Sequence, residues 1–186
     1  MQQRDPSLVF DQFPILNLAK INLRQIVKAD AQDYYNFITH EGVTKYLSDP
    51  DIPKDLAGAE EEVAYWSGLF PQRRSIYWAV VTKDTDKLIG TCGFNNWSRV
   101  NARAEISYDI SHDYWKQGIA TEAVTAISNF ALDVMLVNRV QATVVFDNVA
   151  SMRVLEKSGY VREGKLANYY VLRGKVMDGF MYSKVR

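Results

Sequence analysis

Apolar residues recur along this chain in two different periods, and the period switches from one segment to the next. From Ile15 to Ile26 they alternate, with Ile21, Leu23 and Gln25 on one side, which predicts a strand. Asp30 then stands where an N-cap belongs, ahead of a short helix from Asp33 to Ile38, and Val43 to Leu47 reads as a further short turn. The breaker cluster Ser48-Asp49-Pro50-Asp51-Ile52-Pro53 precedes a longer helix, Asp55 to Leu69, that is acidic early and stopped by Pro71. Ser75 to Thr82 and Lys87 to Asn95 read as two strands joined at Asp84-Thr85-Asp86, and Ala104 to Ile110 as a third. After Gly118 the period changes. Apolar residues at 120, 123, 124, 127, 130, 131 and 134 form a helical stripe. Val140 to Phe146 is nearly continuously apolar, the mark of a strand buried on both faces. Asn148 can cap a helix that Gly159 ends. Tyr160 to Val171 and Lys175 to Val185 pair around Arg173-Gly174. The order of elements is α+β, with one mixed, mostly antiparallel sheet of about seven strands flanked by helices. Residues 1–13 read as an irregular lead-in, and no second boundary appears, so a single domain over 1–186 is expected.

Composition narrows the classes. The chain of 186 residues is 47% apolar and 24% charged, enough for a full core and unlike a disordered or fibrous sequence. Its 22 basic residues equal its 22 acidic ones, which gives no field to draw in nucleic acid or an anionic membrane. One cysteine, Cys92, excludes an internal disulfide framework and reads as a buried small hydrophobe. No apolar run has membrane-spanning length and the N-terminus has no secretory core, so a cytoplasmic protein is expected. His40 and His112 are single and unclustered, so no metal site is expected.

The chemistry concentrates in Tyr114-Trp115-Lys116-Gln117-Gly118-Ile119-Ala120-Thr121-Glu122-Ala123. A turn runs here into the N-terminus of a helix, where the first amides have no partner inside the helix and the macrodipole is positive. Gly118 lets a ligand approach the backbone closely, and Lys116 adds a cation. Together they suit a phosphate. No Gly-x4-Gly-Lys-Ser/Thr loop is present, so a P-loop nucleotidase is not supported. Thirty residues on, Asn148 to Gly159 forms a second short helix with Ser151 in its first turn.

These two segments at this separation closely resemble the acetyl-CoA-binding half of the GNAT N-acetyltransferase superfamily, in its RimJ/RimL-like branch. Gly118 and Ala120 match the pyrophosphate loop, while Trp115 stands where the general pattern has Arg or Gln. Leu88-Ile89-Gly90-Thr91-Cys92-Gly93-Phe94 matches the branch's "L-I-G-x-x-G-F" strand, and Leu23-Arg24 the end of its opening strand. The resemblance implies that acetyl-CoA is the acyl donor. Lys116, Gln117, Gly118, Ile119, Ala120 and Thr121 would hold its pyrophosphate, and backbone amides near Asp109, Ile110 and Ser111 its pantetheine and thioester carbonyl. The strand from Ala104 would splay from the next one to form a slot for that arm. Asn148 would bond the same arm. Glu105, in Ala104-Glu105-Ile106-Ser107-Tyr108, matches the family's glutamate and is the candidate general base, acting directly or through water. The family's acid is a tyrosine where this chain has Leu155, which leaves Ser151 as the fallback for protonating the leaving thiolate.

The acceptor side is less determined by sequence. Tyr34, Tyr35, Trp66, Tyr77, Trp78, Trp97, Tyr108, Tyr169 and Tyr170 are pocket candidates that suit the core as well. The resemblance implies direct attack by a primary amine, foremost the N-terminal amine of a protein such as a ribosomal protein. A small amine (polyamine, amino acid or antibiotic) is the alternative acceptor, and a non-catalytic acyl-CoA-binding domain the alternative class. Apolar sheet edges leave room for a homodimer.

Overall fold

The protein, represented by a computed structural model, is described over residues 9–186. Most of the lead-in expected over 1–13 lies outside those residues; within them, Val9 and Phe10 are buried, and the Phe10 ring stacks on Trp97 at 5.4 Å.

Eight strands form one sheet: β1 (Leu16–Asn17), β2 (Ile21–Gln25), β3 (Tyr77–Thr82), β4 (Leu88–Ser98), β5 (Arg103–Ile110), β6 (Arg139–Val145), β7 (Val161–Leu172) and β8 (Lys175–Val185). They lie in the order β1-β2-β3-β4-β5-β6-β8-β7. Every pairing is antiparallel except β5 with β6. The expected mixed α+β sheet is thus present, with one strand more than expected. The Ile15–Ile26 segment is not one strand, because Leu18 N–H donates to the Ile21 carbonyl at 3.0 Å and folds it into a hairpin.

The helices are α1 (Ala31–Ile38), α2 (Glu41–Thr44), α3 (Leu56–Leu69), α4 (Ile119–Asp133) and α5 (Val149–Lys157). They divide between the two faces of the sheet. One core gathers Leu23, Trp78, Phe94, Ile106 and Val140 under Ala123, Val124, Ile127 and Ala131 of α4 and Leu155 of α5. The other packs Ala79, Val81 and Leu88 against Tyr34, Phe37 and Ile38 of α1 and Ala59 and Val63 of α3. The stripe expected on α4 faces the core except at its end, with Ala120 and Phe130 partly buried against it. The helix stops at Asp133, so Val134 leaves the stripe and is exposed.

Two local expectations fail for identifiable reasons. Asp30 does not cap α1 with its side chain. Its carboxylate turns back to take both Nη atoms of Arg24 at 2.8 Å and the Val27 amide at 2.8 Å, a stronger set of partners than one helix amide. Arg24 also donates to Asp86, which ties β2 to the β3–β4 hairpin. The β6 strand is buried mainly on one face: Val140, Ala142 and Val144 join the α4 core, while Arg139, Gln141 and Thr143 are only partly covered. The α1 and α3 layer packs on β3 and β4 and leaves that side of β6 open. Asp55 does cap α3, accepting from the Gly58 amide at 2.9 Å.

Candidate functional site

The parallel pair at the middle of the sheet separates after three residues. β5 and β6 are in register at Arg103 with Arg139, Ala104 with Val140 and Glu105 with Gln141, and the pairing ends there. From Ile106 to Ile110, β5 stays bonded to β4, while β6 follows β8 as far as Val145. A V-shaped slot therefore opens beyond Glu105 and Gln141, with β5 amides along one wall.

The slot leads to the N-terminus of α4. After Ile110, residues His112–Tyr114 form a 3-10 turn, and the Trp115 indole donates to the Ile110 carbonyl at 2.7 Å. Trp115, where the sequence departs from the loop pattern, thus anchors the turn. Lys116 and Gly118 both have positive φ, 60° and 80°, the left-handed region that glycine enters at least cost. Gly118 is the N-cap of α4, and no side chain caps the helix. The amides of the first turn, at Ile119, Ala120 and Thr121, therefore lack a side-chain cap at the positive end of the helix. Lys116 is exposed, and Gln117 donates to the Asp113 carbonyl at 3.2 Å.

Two residues missed in the sequence hold this loop. The Lys20 ammonium donates to the Gln117 carbonyl at 2.6 Å. The Glu122 carboxylate receives the Ala19 amide at 2.8 Å and the Lys20 amide at 3.3 Å. The turn between β1 and β2 is thereby clamped to the start of α4. Nothing local in the sequence signals a contact across a hundred residues.

The other side of the slot is α5. The Asn148 side chain accepts the Ser151 amide at 3.1 Å, the capping role expected of it, and its NH2 group has no partner among the described residues. The Tyr108 hydroxyl lies 2.7 Å from Ser151 Oγ and 3.2 Å from the Ser151 carbonyl. Burial pushes the Tyr108 phenol up, so it stays protonated at neutral pH. Leu155 is wholly buried and forms part of the core. Tyr108 therefore brings a phenol to the side of the slot where the expected tyrosine is missing.

On the opposite face of the sheet, Gln141 donates to Glu105 at 3.1 Å, and Arg139 donates to Gln141 at 2.9 Å. Arg139 also holds Glu163 with two bonds, at 2.8 and 2.6 Å, so Glu105 ends an ordered polar chain at the point of the V. The side chains of Ser107 and Asp109 share that face. Tyr77 and Ser107 hydroxyls bond across Gly93, where a Cβ would meet the Tyr77 ring at 2.3 Å. Trp66 stacks on Tyr77 at 4.9 Å and meets Tyr34 edge-on at 4.9 Å. Tyr34 donates to Glu62. Asp109 is pushed up to about 6, by burial first and then by the negative charges of Asp51 and Glu62.

Of the other aromatic candidates, Trp78 is core and Trp97 packs on Phe10. Tyr169 and Tyr170 meet edge-on in β7. Cys92 is wholly buried, and burial pushes its thiol up, which suits a hydrophobe and not a nucleophile. The two histidines are not isolated, as their spacing suggested. His40 and His112 stack at 4.6 Å, and His112 packs on Trp115 at 4.8 Å. Among the described residues, no group of three His, Cys, Asp or Glu is placed to hold a metal, and no helix is long and apolar enough to cross a membrane. At the Arg173-Gly174 turn both residues have positive φ, as a two-residue hairpin needs, and Arg173 reaches back to Thr44 at 3.2 Å.

Comparison with known proteins agrees with this arrangement. The family model described as acetyltransferase (GNAT) domain matches residues 20–161. The N-acetyltransferase YoaA of Bacillus subtilis is 32% identical over 94% of this chain and 98% of its own. The ribosomal-protein-S5-alanine acetyltransferase of Vibrio fischeri has the same fold, with a TM-score of 0.82 at 21% identity, over 92% of this chain and 96% of that one. So does RimL, the ribosomal L7/L12 alpha-N-protein acetyltransferase solved with coenzyme A, with a TM-score of 0.83 at 18% identity, over 92% of this chain and 98% of that one.

Proposed function

The chain belongs to the GNAT acetyltransferase family, and on that premise we propose that it transfers the acetyl group of acetyl-CoA to a primary amine by direct attack, with the N-terminal amine of a protein as acceptor. The observation that carries this reading is the opening of β5 from β6 at Glu105 and Gln141, directly ahead of an uncapped helix N-terminus at Gly118. A strand wall of amides followed by such a terminus fits a long donor that has an amide-rich arm and a pyrophosphate. The similarity to two ribosomal-protein acetyltransferase folds supports the protein acceptor.

Each candidate residue has a role in this reading. Lys116 to Thr121 hold the pyrophosphate, with Lys20 as a nearby cation. The Ser111 amide already donates to the Ile89 carbonyl at 2.8 Å and the Asp109 amide points the same way along β5, so of the three amides expected only that of Ile110 faces the slot; it receives the pantetheine arm and polarises the thioester carbonyl, a contribution on the order of 3 kcal/mol in related chemistry. Glu105, oriented by Gln141, takes the proton that the acceptor ammonium must lose, directly or through water. Asn148 bonds the arm with its free NH2 group. Ser151, with Tyr108 behind it, supplies the proton to the leaving thiolate. All 186 residues act as one domain in this scheme.

The test is acetyl-CoA consumption, read as free thiol, against peptides with free N-termini and against small amines. Turnover of peptides whose N-terminus is blocked only slowly, and of free ones rapidly, supports the protein acceptor. Turnover of small amines alone overturns it, and thiol release with neither overturns acetyl transfer altogether.

A further inference from the structure

The Glu105 carboxylate accepts a single hydrogen bond from the described residues, and that bond ends a chain that crosses four strands. Gln141 Nε2 donates to Glu105 Oε2 at 3.1 Å, within the last register pair of β5 and β6 before the slot. Arg139 Nε donates in turn to Gln141 Oε1 at 2.9 Å. The two Nη atoms of Arg139 donate to the two oxygens of Glu163, at 2.8 and 2.6 Å. Ser183, opposite Gln141 on β8, adds its hydroxyl to Glu163 at 2.6 Å. Glu163 is the extra residue of a bulge in β7, between Arg162 paired with Tyr182 and Gly164 paired with Met181. A bulge re-aims a side chain, and this one sends Glu163 across β8 to Arg139.

Every bond in this chain has a set direction. A guanidinium only donates, so the Gln141 amide must turn its oxygen to Arg139 and its NH2 group to Glu105. The reverse orientation would set two donors against each other. Glu105 is thereby held through Oε2, while Oε1 receives no bond from the described residues. Stability does not account for the arrangement. The side chains of Arg139 and Glu163 are 28% and 41% exposed, and ion pairs at such sites contribute little. Orientation does account for it, because a bidentate guanidinium pair fixes its partners in one plane. Bonds from Arg139 and then Ser183 hold the Glu163 carboxyl down to about 2, so the pair stays charged at neutral pH.

We propose that Arg139 and Glu163 are positioning residues for the acetyl transfer, acting through Gln141 to present Oε1 of Glu105 to the acceptor amine. In the step they serve, Oε1 takes one proton from the acceptor ammonium, and the lone pair left on nitrogen attacks the thioester carbon. Neither residue touches donor or acceptor. Glu163 lies on the edge strand of the sheet, three places from β5. This rests on the acetyltransferase reading above, with Glu105 as its base, and adds the residues that set the base's direction.

The experiment measures kcat and KM with acetyl-CoA and tetrapeptides that begin with a free alanine or serine, and with butylamine beside them. Gln141→Met lowers kcat by about tenfold and Glu163→Gln by about threefold, while coenzyme A affinity stays within about twofold. In a Glu105→Gln background neither substitution lowers kcat by more than about twofold further, because the base they position is gone. Equal losses in both backgrounds are the mark of a merely structural role and overturn the proposal. A kcat kept in both single variants overturns it too. A second measurement needs no turnover: exchange of the Gln141 side-chain NH2 with water, read by nitrogen NMR, with its resonances identified by their loss in Gln141→Met. Glu163→Gln sets a donor against Arg139 and speeds that exchange by about threefold or more. An unmoved rate overturns the chain from Glu163 to Glu105 even where amines are acetylated. A raised rate with no amine acetylated upholds that chain and removes the acetyltransferase reading.

Discussion

The hydroxyl of Tyr108 lies 2.7 Å from Ser151 Oγ, a bond between β5 and α5 across two elements that the sheet does not otherwise join. Either oxygen can donate, so a proton given by Ser151 to a leaving thiolate can be replaced from a phenol that burial keeps protonated. Tyr108→Phe removes that supply without removing the ring. It lowers kcat by roughly tenfold to a hundredfold, within the range of lost acid catalysis. Coenzyme A affinity stays within about threefold, since the phosphate loop is untouched. An unchanged kcat, measured by thiol release at saturating donor, overturns the role of Tyr108.

Gly118→Val tests the phosphate loop. At φ 80° a β-branched residue is strained, and its Cβ would come within 3.3 Å of the Lys20 ammonium. Coenzyme A binding, read by calorimetry, weakens by at least about tenfold, while the far-UV dichroism of the sheet persists. Unaltered affinity sinks the loop assignment.

Much of this site is legible in the sequence because its parts are local. The Gly118 turn, the Asn148 cap and the period of α4 each depend on residues within a few positions of one another, which is the range that turn chemistry and helical spacing report. The strand boundaries follow the same logic, except where a single hydrogen bond from Leu18 to Ile21 folds one expected strand into two. What the sequence withholds is long-range. The clamp of Glu122 on Ala19, the stack of His40 on His112 and the bond of Tyr34 to Glu62 are set by tertiary packing, and no spacing encodes them. Asp109 shows the difference most plainly: it lies on the strand that walls the slot, yet its amide turns toward β4 and its side chain toward the face opposite α4, a disposition visible only once the strand's register is known.

Glu105→Gln separates the base from its surroundings. Glutamine fills the same space beside Gln141 but cannot take a proton. kcat/KM falls by roughly a hundredfold. The loss is greatest at low pH, where the acceptor amine is mostly protonated and needs a base, and smallest above pH 9, where free amine is abundant. A pH–rate profile parallel to that of the unaltered protein overturns Glu105 as base.

Arg24 tests the link between β2 and the α1 side of the fold. Its guanidinium is one-fifth exposed, and its partner Asp30 only 7%, so the pair is largely desolvated. Arg24→Ala leaves the Asp30 carboxylate buried without its cation and costs about 3 kcal/mol or more, read from urea unfolding. Arg24→Lys recovers only part of it, because an ammonium cannot match both carboxylate oxygens as the guanidinium does. Full recovery by lysine overturns the bidentate account.

Asp109 makes an opposite prediction, in which removing a charge adds stability. Its carboxyl is raised from 3.8 to about 6 in the folded protein, so folding favours its protonated form. Below pH 4 both folded and unfolded chains hold that proton, and the group makes no difference. Between pH 4 and 6 only the folded chain holds it, and stability falls as pH rises. Above pH 6 the folded chain carries the cost of a partly covered carboxylate, below a ceiling of about 3 kcal/mol. Asp109→Asn lacks that cost. Its melting temperature therefore exceeds that of the unaltered protein above pH 6 by several degrees, and the two curves converge below pH 4. Equal stability at every pH would mean that Asp109 is solvated as well in the folded chain as in the unfolded one, and would overturn the raised carboxyl.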